Sequence, residues 1–418
     1  MTNDASTPAA AQAPAEKIRP WESLKYRDYR LLWLGYPFSA IGLWMRNTTN
    51  AYQVYHLTDS TALLGLTFLF QGLPLMVVGL FGGTLADFLP KRRTIRITMS
   101  LEVGIATLLA VLTLTGHIEV WHIYVMTFAS ASVAACENPA RTALLPKLIP
   151  RHLLLNATTL NAFGFQSAFL FGPLLGGVFI DTIGAGWSYV FNALLILPAI
   201  LCISLVRVED RGQRGRLKLN VATIFEGLIY AMKTRILMIL LLLDTVTMIV
   251  GYYPALMPVY AKDILHVGGT GLGALLATAP FGALAGLLIV LAVGNIERKG
   301  LVLIMVTVLH GAVLIGFSVS TWFGLSLALM AMLGLLDAVS VSIRHASFQL
   351  VATDENRGRV VSLVGMVAQS SNAMGGAYLG LAAALMGPQL SLAIGGGIGA
   401  GFAILMALAY PKLRQFRA

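Results

Sequence analysis

The sequence predicts an all-α membrane protein of twelve transmembrane helices arranged as two pseudo-symmetric six-helix halves. Three observations carry that prediction. Of 418 residues, 57% are hydrophobic and only 11% charged, whereas soluble domains are nearer a quarter charged. The apolar residues gather in twelve stretches, each close to the ~20 residues that a helix needs to span a bilayer. All of the 29 Lys and Arg residues except Arg46 and Lys262 fall in every second gap between those stretches. Basic loops stay on the cytoplasmic side, so the alternation places both termini in the cytoplasm.

The stretches run near 31–56, 61–86, 94–115, 120–141, 155–180, 186–206, 236–260, 271–293, 300–318, 322–344, 359–385 and 390–410. Residues 1–20 are Ala, Pro and polar with no apolar run, a composition that reads as a disordered cytoplasmic tail rather than a signal peptide. The first half then covers 21–207 and the second 236–418. Between them, 208–235 opens on EDRGQRGRLKLN and continues as VATIFEGLIYAMKTR. That second piece alternates apolar and polar residues at helical spacing, as a segment lying along the membrane surface does.

The halves read as diverged copies. At an offset of 203, Arg141 falls on Arg344, Leu160 on Leu363, Gln166 on Gln369, Gly172 on Gly375 and Gly177 on Gly380. At an offset of 208, Tyr52 falls on Tyr260, Gly65 on Gly273, Asp87 on Asn295 and Lys91 on Lys299. Parallel six-span repeats place a solute site near the midplane where the halves meet, and rocking of the halves exposes it to each side in turn. A small-molecule solute carrier is therefore the first functional reading.

The composition and motifs exclude other classes. The net charge of +10 sits in short juxtamembrane loops, where it faces anionic lipid headgroups, so nucleic acid is not an expected partner. Cys136 and Cys202 lie inside apolar spans with no metal-ligand spacing, so neither a metal site nor a structural disulfide is expected. GGGIGAG at 395–401 sits inside a span with no preceding strand and reads as helix packing. No phosphate loop, paired nucleophile and base, or cofactor motif is present, and no enzyme activity is expected.

The loop after the second span reads GGTLADFLPKRR, with Gly83, Asp87, Lys91, Arg92 and Arg93. It resembles the Gly-x-Leu-Ala-Asp-Arg-x-Gly-Arg-Lys-Arg signature of the major facilitator superfamily, with Phe88 in place of the usual Arg and Pro90 in place of the usual Gly. The opening SLKYRDYRLLWLGYPFSAIGLWM, then YHLTDSTALLGL, ENPARTALLPKLIP and LNAFGFQSAFLFGPLLGG, resembles the drug:proton antiporter branch that includes enterobactin exporters and macrolide efflux proteins. The resemblance covers nearly all of 21–385. It implies a bacterial inner-membrane protein, expected as a monomer, that exports small amphipathic molecules in exchange for protons. It also implies a conformational switch at Gly83, Asp87, Lys91, Arg92, Arg93, Arg141 and Arg344, with Asp87 holding a neighbouring helix end. Gly172, Pro173, Gly176 and Gly177 match the family's antiporter element, although close helix packing explains them equally well.

Ionisable residues inside spans cost about 2.5–3.5 kcal/mol on insertion scales and mark functional candidates. Here they are Arg46, Glu102, Glu137, Asp244, His310 and Asp337. In the first span Gly35, Ser39, Gly42, Arg46, Thr49, Asn50 and Gln53 recur three or four residues apart, a small-and-polar stripe that must face water or protein. The resemblance makes spans 1, 4, 7 and 10 the cavity lining. Arg46, Thr49, Asn50 and Gln53 are therefore cavity candidates, with Tyr252 and Tyr253 as aromatic contacts. Arg46 either pairs with an acidic coupling residue, holds an anionic group of the substrate, or snorkels to the outer headgroups. Asp244 and Asp337 are the leading proton-coupling candidates, with Glu137 third, since Arg141 four residues on offers it a fixed partner. Glu102 is expected to pair near the basic loop, and His310 to be a hydrogen-bonded structural histidine. Two further readings stay open: a dedicated exporter of an anionic metabolite such as a siderophore, or of a lysophospholipid, and a non-transporting sensor or scaffold.

Overall fold

The computed structural model describes residues 19–208, 229–294, 296–353 and 355–414, apart from the side chains of 79–88, 412 and 413. Among the described residues there are twelve helices of at least 16 residues. They are α1 (Arg27–Thr58), α2 (Thr61–Phe88), α3 (Lys91–Leu114), α4 (Val120–Leu148), α5 (Leu154–Thr182), α6 (Ala185–Leu205), α7 (Arg235–Val250), α8 (Gly268–Val293), α9 (Lys299–Ser318), α10 (Phe323–Val351), α11 (Arg357–Met386) and α12 (Pro388–Ala409). Nine are long and apolar enough to cross a membrane by length and composition, α7 together with the turns that carry it on to Ile264. The other three, α1, α4 and α11, carry polar side chains along their length: Arg46, Asn50 and Gln53 on α1, Glu137 and Arg141 on α4, and Gln369, Ser370 and Asn372 on α11.

Each predicted span contains a helix, and most helices run several residues beyond it. The seventh differs in kind. α7 stops at Val250, and the chain continues as a 3-10 turn (Tyr253–Leu256), a short helix (Met257–Val259) and a π-helical turn (Tyr260–Ile264). Gly251 weakens the helix, and Pro254 and Pro258 each remove a backbone donor. The linker segment at 209–228 and the tail at 1–18 lie outside the described residues.

The repeat in the sequence is a repeat in the packing. In the first half α1 packs on α5 and α6, α2 on α4, and α3 on α6. In the second half α7 packs on α11 and α12, α8 on α10, and α9 on α12. The halves meet through α2 against α11 and α5 against α8, two crossings that the repeat exchanges. The chain is thus a two-half helical bundle of twelve helices.

The apolar cores show how the halves stand. Both described chain ends and the basic loops lie on one face, here the basic face. Toward that face each half has its own core: Tyr29, Ile95, Leu144 and Ile203 in the first, Leu237, Leu303, Phe348 and Leu363 in the second. Toward the opposite face one core crosses both halves, joining Val54, Tyr55, Leu64 and Tyr189 to Leu256, Tyr260, Leu272 and Leu379. Burial of apolar surface is the dominant favourable term in association. The halves are therefore closed on each other opposite the basic face.

Candidate functional site

The second half supplies a buried ion pair from two helices. Asp244 on α7 is 6% exposed and Arg344 on α10 is 4% exposed, with Arg344 Nη1 2.7 Å from Asp244 Oδ1. Asp244 has no partner within its own helix. Its charge is met only because α10 brings Arg344 alongside. Asp337 lies two turns before Arg344 on α10, so the two share a helix face; it is half-buried. At the break in α7, Tyr253 stands 6.5 Å, ring to ring, from His310 on α9, and Tyr252 packs edge-on against Phe68 of α2 at 5.6 Å. Tyr252 thus lies on the contact between halves.

The first half holds a larger polar network. The Arg46 guanidinium pairs with Glu102 of α3 and donates to the Ser130 hydroxyl of α4, and Ser130 Oγ donates to the other Glu102 oxygen at 2.8 Å. The expectation that Glu102 pairs near the basic loop is corrected: its partner is Arg46 of α1, deep in the bundle, whose long side chain reaches across to α3. Asn50 Nδ2 donates to Thr127 at 3.1 Å and Gln53 Nε2 to Thr113 at 3.2 Å. The Tyr189 hydroxyl of α6 stands 2.7 Å from the carbonyl oxygens of both amides, and Thr49 shares a hydrogen bond with Ser188 at 2.8 Å. Arg46, Thr49, Asn50 and Gln53 do share one face, but each is at most 5% exposed. In this conformation that face turns inward onto α3, α4 and α6.

Glu137 and Arg141 pair within α4, Oε1 to Nη2, at 2.6 Å. Thr98 of α3 donates to the second Glu137 oxygen at 2.9 Å, and the Arg141 guanidinium lies 4.8 Å over the Tyr36 ring. Of the expected switch, Arg92 donates to the carbonyl oxygens of Ile203 and Ser204 at the end of α6, and Lys91 is buried. The side chains of Gly83 and Asp87 lie outside the described residues.

A third constellation, not anticipated from the sequence, ties the halves together opposite the basic face. The Tyr55 hydroxyl donates to Asp263, and Lys262 pairs with Asp59 while lying 5.4 Å over the Tyr55 ring. Asp181, at the end of α5, accepts from the backbone amides of Gly269 (2.8 Å) and Thr270 (2.6 Å). These amides open α8, whose own N-cap residue Val267 offers no side-chain acceptor. A carboxylate from one half therefore caps a helix of the other, where the helix dipole favours negative charge. The one sequence signal was Lys262, an exception to the basic-loop pattern. Arg46, the other exception, also has an acidic partner.

The comparisons with known proteins agree with this architecture. The sequence model of a family described as transmembrane secretion effector matches residues 18–418. The enterobactin exporter EntS of Citrobacter koseri is 25% identical over 394 residues, covering 93% of each chain. That of Shigella boydii serotype 4 is 25% identical over 395 residues, with the same coverage. Among solved structures, a bacterial homologue of the human lysosomal transporter Spinster, inward-facing and unoccupied, superposes with a TM-score of 0.71 at 16% identity, covering 94% of this chain and 99% of that one. The nucleoside transporter NupG superposes with a TM-score of 0.72 at 12% identity, covering 93% and 100%.

Proposed function

The chain belongs to the transmembrane secretion effector family of the major facilitator superfamily, and from that premise we propose that it exports a small amphipathic anion by proton antiport. It is a multi-pass membrane transporter and not an enzyme. In this reading it resides as a monomer in the bacterial inner membrane with both termini cytoplasmic, and the basic face is the cytoplasmic one. The described state is then closed to the outside.

The observation that carries the reading is the buried Asp244–Arg344 pair, contributed by two different helices on the side where the halves keep separate cores. A buried carboxylate is stable as an anion only while a cation is beside it. The solute binds while Asp244 is ionised. Its hydrogen-bond donors meet the Asp244 carboxylate, and its anionic group shares the Arg344 guanidinium, whose five donors serve both. A proton taken up by Asp244 weakens that carboxylate as an acceptor and releases the solute. Proton and solute thereby occupy one site in different states, which is the condition for exchange. Asp337, on the Arg344 face, is the second proton-accepting group, and the Glu137–Arg141 pair repeats the arrangement on α4. Tyr252 and Tyr253 supply aromatic surface at the α7 break. The Arg46 network holds the first half rigid while it rocks.

The energy is adequate. One charge crossing 100 mV provides about 2.3 kcal/mol and one pH unit about 1.4 kcal/mol per proton. The enterobactin exporters at 25% identity favour a siderophore-like anion over a cationic drug. Counterflow in proteoliposomes tests this. A catecholate siderophore should exchange and ethidium should not compete; the reverse result would move the cargo to drug-like cations.

A further inference from the structure

At the start of α3 the basic face contains a cavity of about 260 Å3, lined by Pro90, Arg92, Arg93, Arg96 and Val208. Three of its five lining residues are arginines and none is acidic. Arg92 is held in place through its bonds to the α6 carbonyl oxygens of Ile203 and Ser204. Arg93 and Arg96 are exposed, and neither forms an ion pair with another described residue. The positive end of the α3 dipole adds to the same field.

The surface beside this cavity is apolar. Along α3, Ile97 (48% exposed) and Leu101 (52%) follow Arg93 at four-residue steps. Along α6, Leu205 (46%) and Leu201 (62%) precede Val208 at steps of three and four. α3 and α6 pack together, so these residues form an uncovered apolar strip leading from the arginines along the outer surface of the two helices. Both helices are among the membrane-crossing nine, which puts the cavity at the level of headgroups and the strip at the level of acyl chains.

We propose that this cavity binds the phosphate group of an anionic phospholipid, with its acyl chains lying against α3 and α6. Guanidinium groups recognise phosphate oxygens in a planar, bidentate geometry, and basic pockets beside membrane helices take anionic headgroups. A free phosphate ion would satisfy the arginines but leave the strip uncovered, which favours the lipid. Arg92 and Arg93 also belong to the expected switch, but the site involves neither the cleft nor the Asp244–Arg344 pair, and its test reads lipid retention, so it stands or falls independently of the proton-exchange reading.

The test is native mass spectrometry of the full chain released from nanodiscs of mixed phosphatidylglycerol and phosphatidylcholine. Arg93→Gln/Arg96→Gln is the main variant, since both side chains are exposed and Arg92 keeps its hold on α6. The wild type should retain phosphatidylglycerol in preference, and the variant should lose that preference by on the order of tenfold. Arg93→Lys/Arg96→Lys, which keeps the charge, should lose less, and it serves as the readout if the Gln variant does not fold. Equal retention of the two lipids by the wild type, or undiminished preference in the variants, would overturn the proposal. So would displacement of the lipid by millimolar inorganic phosphate, which would make the site one for the free ion.

Discussion

Gly177 on α5 and Gly273 on α8 meet backbone to backbone, so that a Cβ on either glycine would lie 2.9–3.2 Å from the other's Cα. The repeat carries this contact onto Gly380 and Gly65, which meet in the same way between α11 and α2. The halves thus touch at two equivalent glycine crossings, and in the proposed rocking these are where one half pivots on the other. Gly273→Val forces side-chain atoms into the Pro173 carbonyl oxygen, 2.5 Å from the Cβ position. Overpacking of this kind costs about 1–3 kcal/mol. The expected outcome is a lower unfolding temperature in detergent and an approximately tenfold loss of transport. Gly104→Ala, with nothing within 4 Å of its Cβ position, should leave both unchanged.

The Asp181 cap should hold the outer closure. Removing a capping side chain costs roughly 1 kcal/mol, or about fivefold in an equilibrium. In a chain with Cys136 and Cys202 replaced by Ser, a cysteine at Ala261, a position only 2% exposed, should be protected from a membrane-impermeant maleimide. Adding Asp181→Ala should raise its labelling rate by about fivefold. An unchanged rate would show that the cap does not govern closure.

The Asp59–Lys262 pair should not act as a pH sensor in the ordinary range. The hydrogen bond from Lys262, reinforced by its charge, holds the Asp59 carboxyl below its usual value of 3.8. A depressed value means that the pair's contribution is fully present above 3.8 and is lost only as pH falls through the lower value. Labelling at Ala261→Cys should therefore be insensitive to Asp59→Asn in its pH profile between about pH 5 and 8.

The Arg46–Glu102 pair should matter for stability. Removing one partner of a buried pair costs about 3–5 kcal/mol, because the other charge is left uncompensated. Glu102→Gln should lower the unfolding temperature more than Glu137→Gln, whose partner Arg141 keeps its stacking on Tyr36. The double variant Arg46→Met/Glu102→Leu should be less destabilised than Glu102→Gln. Additive losses would show that the two residues act separately.

Much of this architecture was legible before the fold. Apolar length and basic-loop spacing locate twelve helices, because the bilayer dictates both. The near-constant offset that aligns Gly65 with Gly273 and Gly177 with Gly380 reflects a real equivalence of contacts. The direction of the α1 stripe was not legible: periodicity tells that Arg46, Asn50 and Gln53 share a face, but not that α3, α4 and α6 supply their partners. Nor was the pairing of Asp244 with Arg344, set by how α7 and α10 lie side by side. Tyr55, Asp59, Asp181 and Asp263 went unnoticed because charges and hydroxyls at helix ends look like solvated loop residues. Only Lys262, on the wrong side for a basic residue, hinted at them.

The central claim is that Asp244 exchanges a proton as solute engages Arg344. Its most direct test is proton movement in proteoliposomes loaded with a pH-sensitive dye, driven by an imposed gradient of a catecholate siderophore. Wild type should move protons against the solute, Asp244→Asn should abolish this proton flux while retaining solute counterflow, and Arg344→Gln should abolish both. Proton flux in Asp244→Asn equal to wild type would contradict the claim.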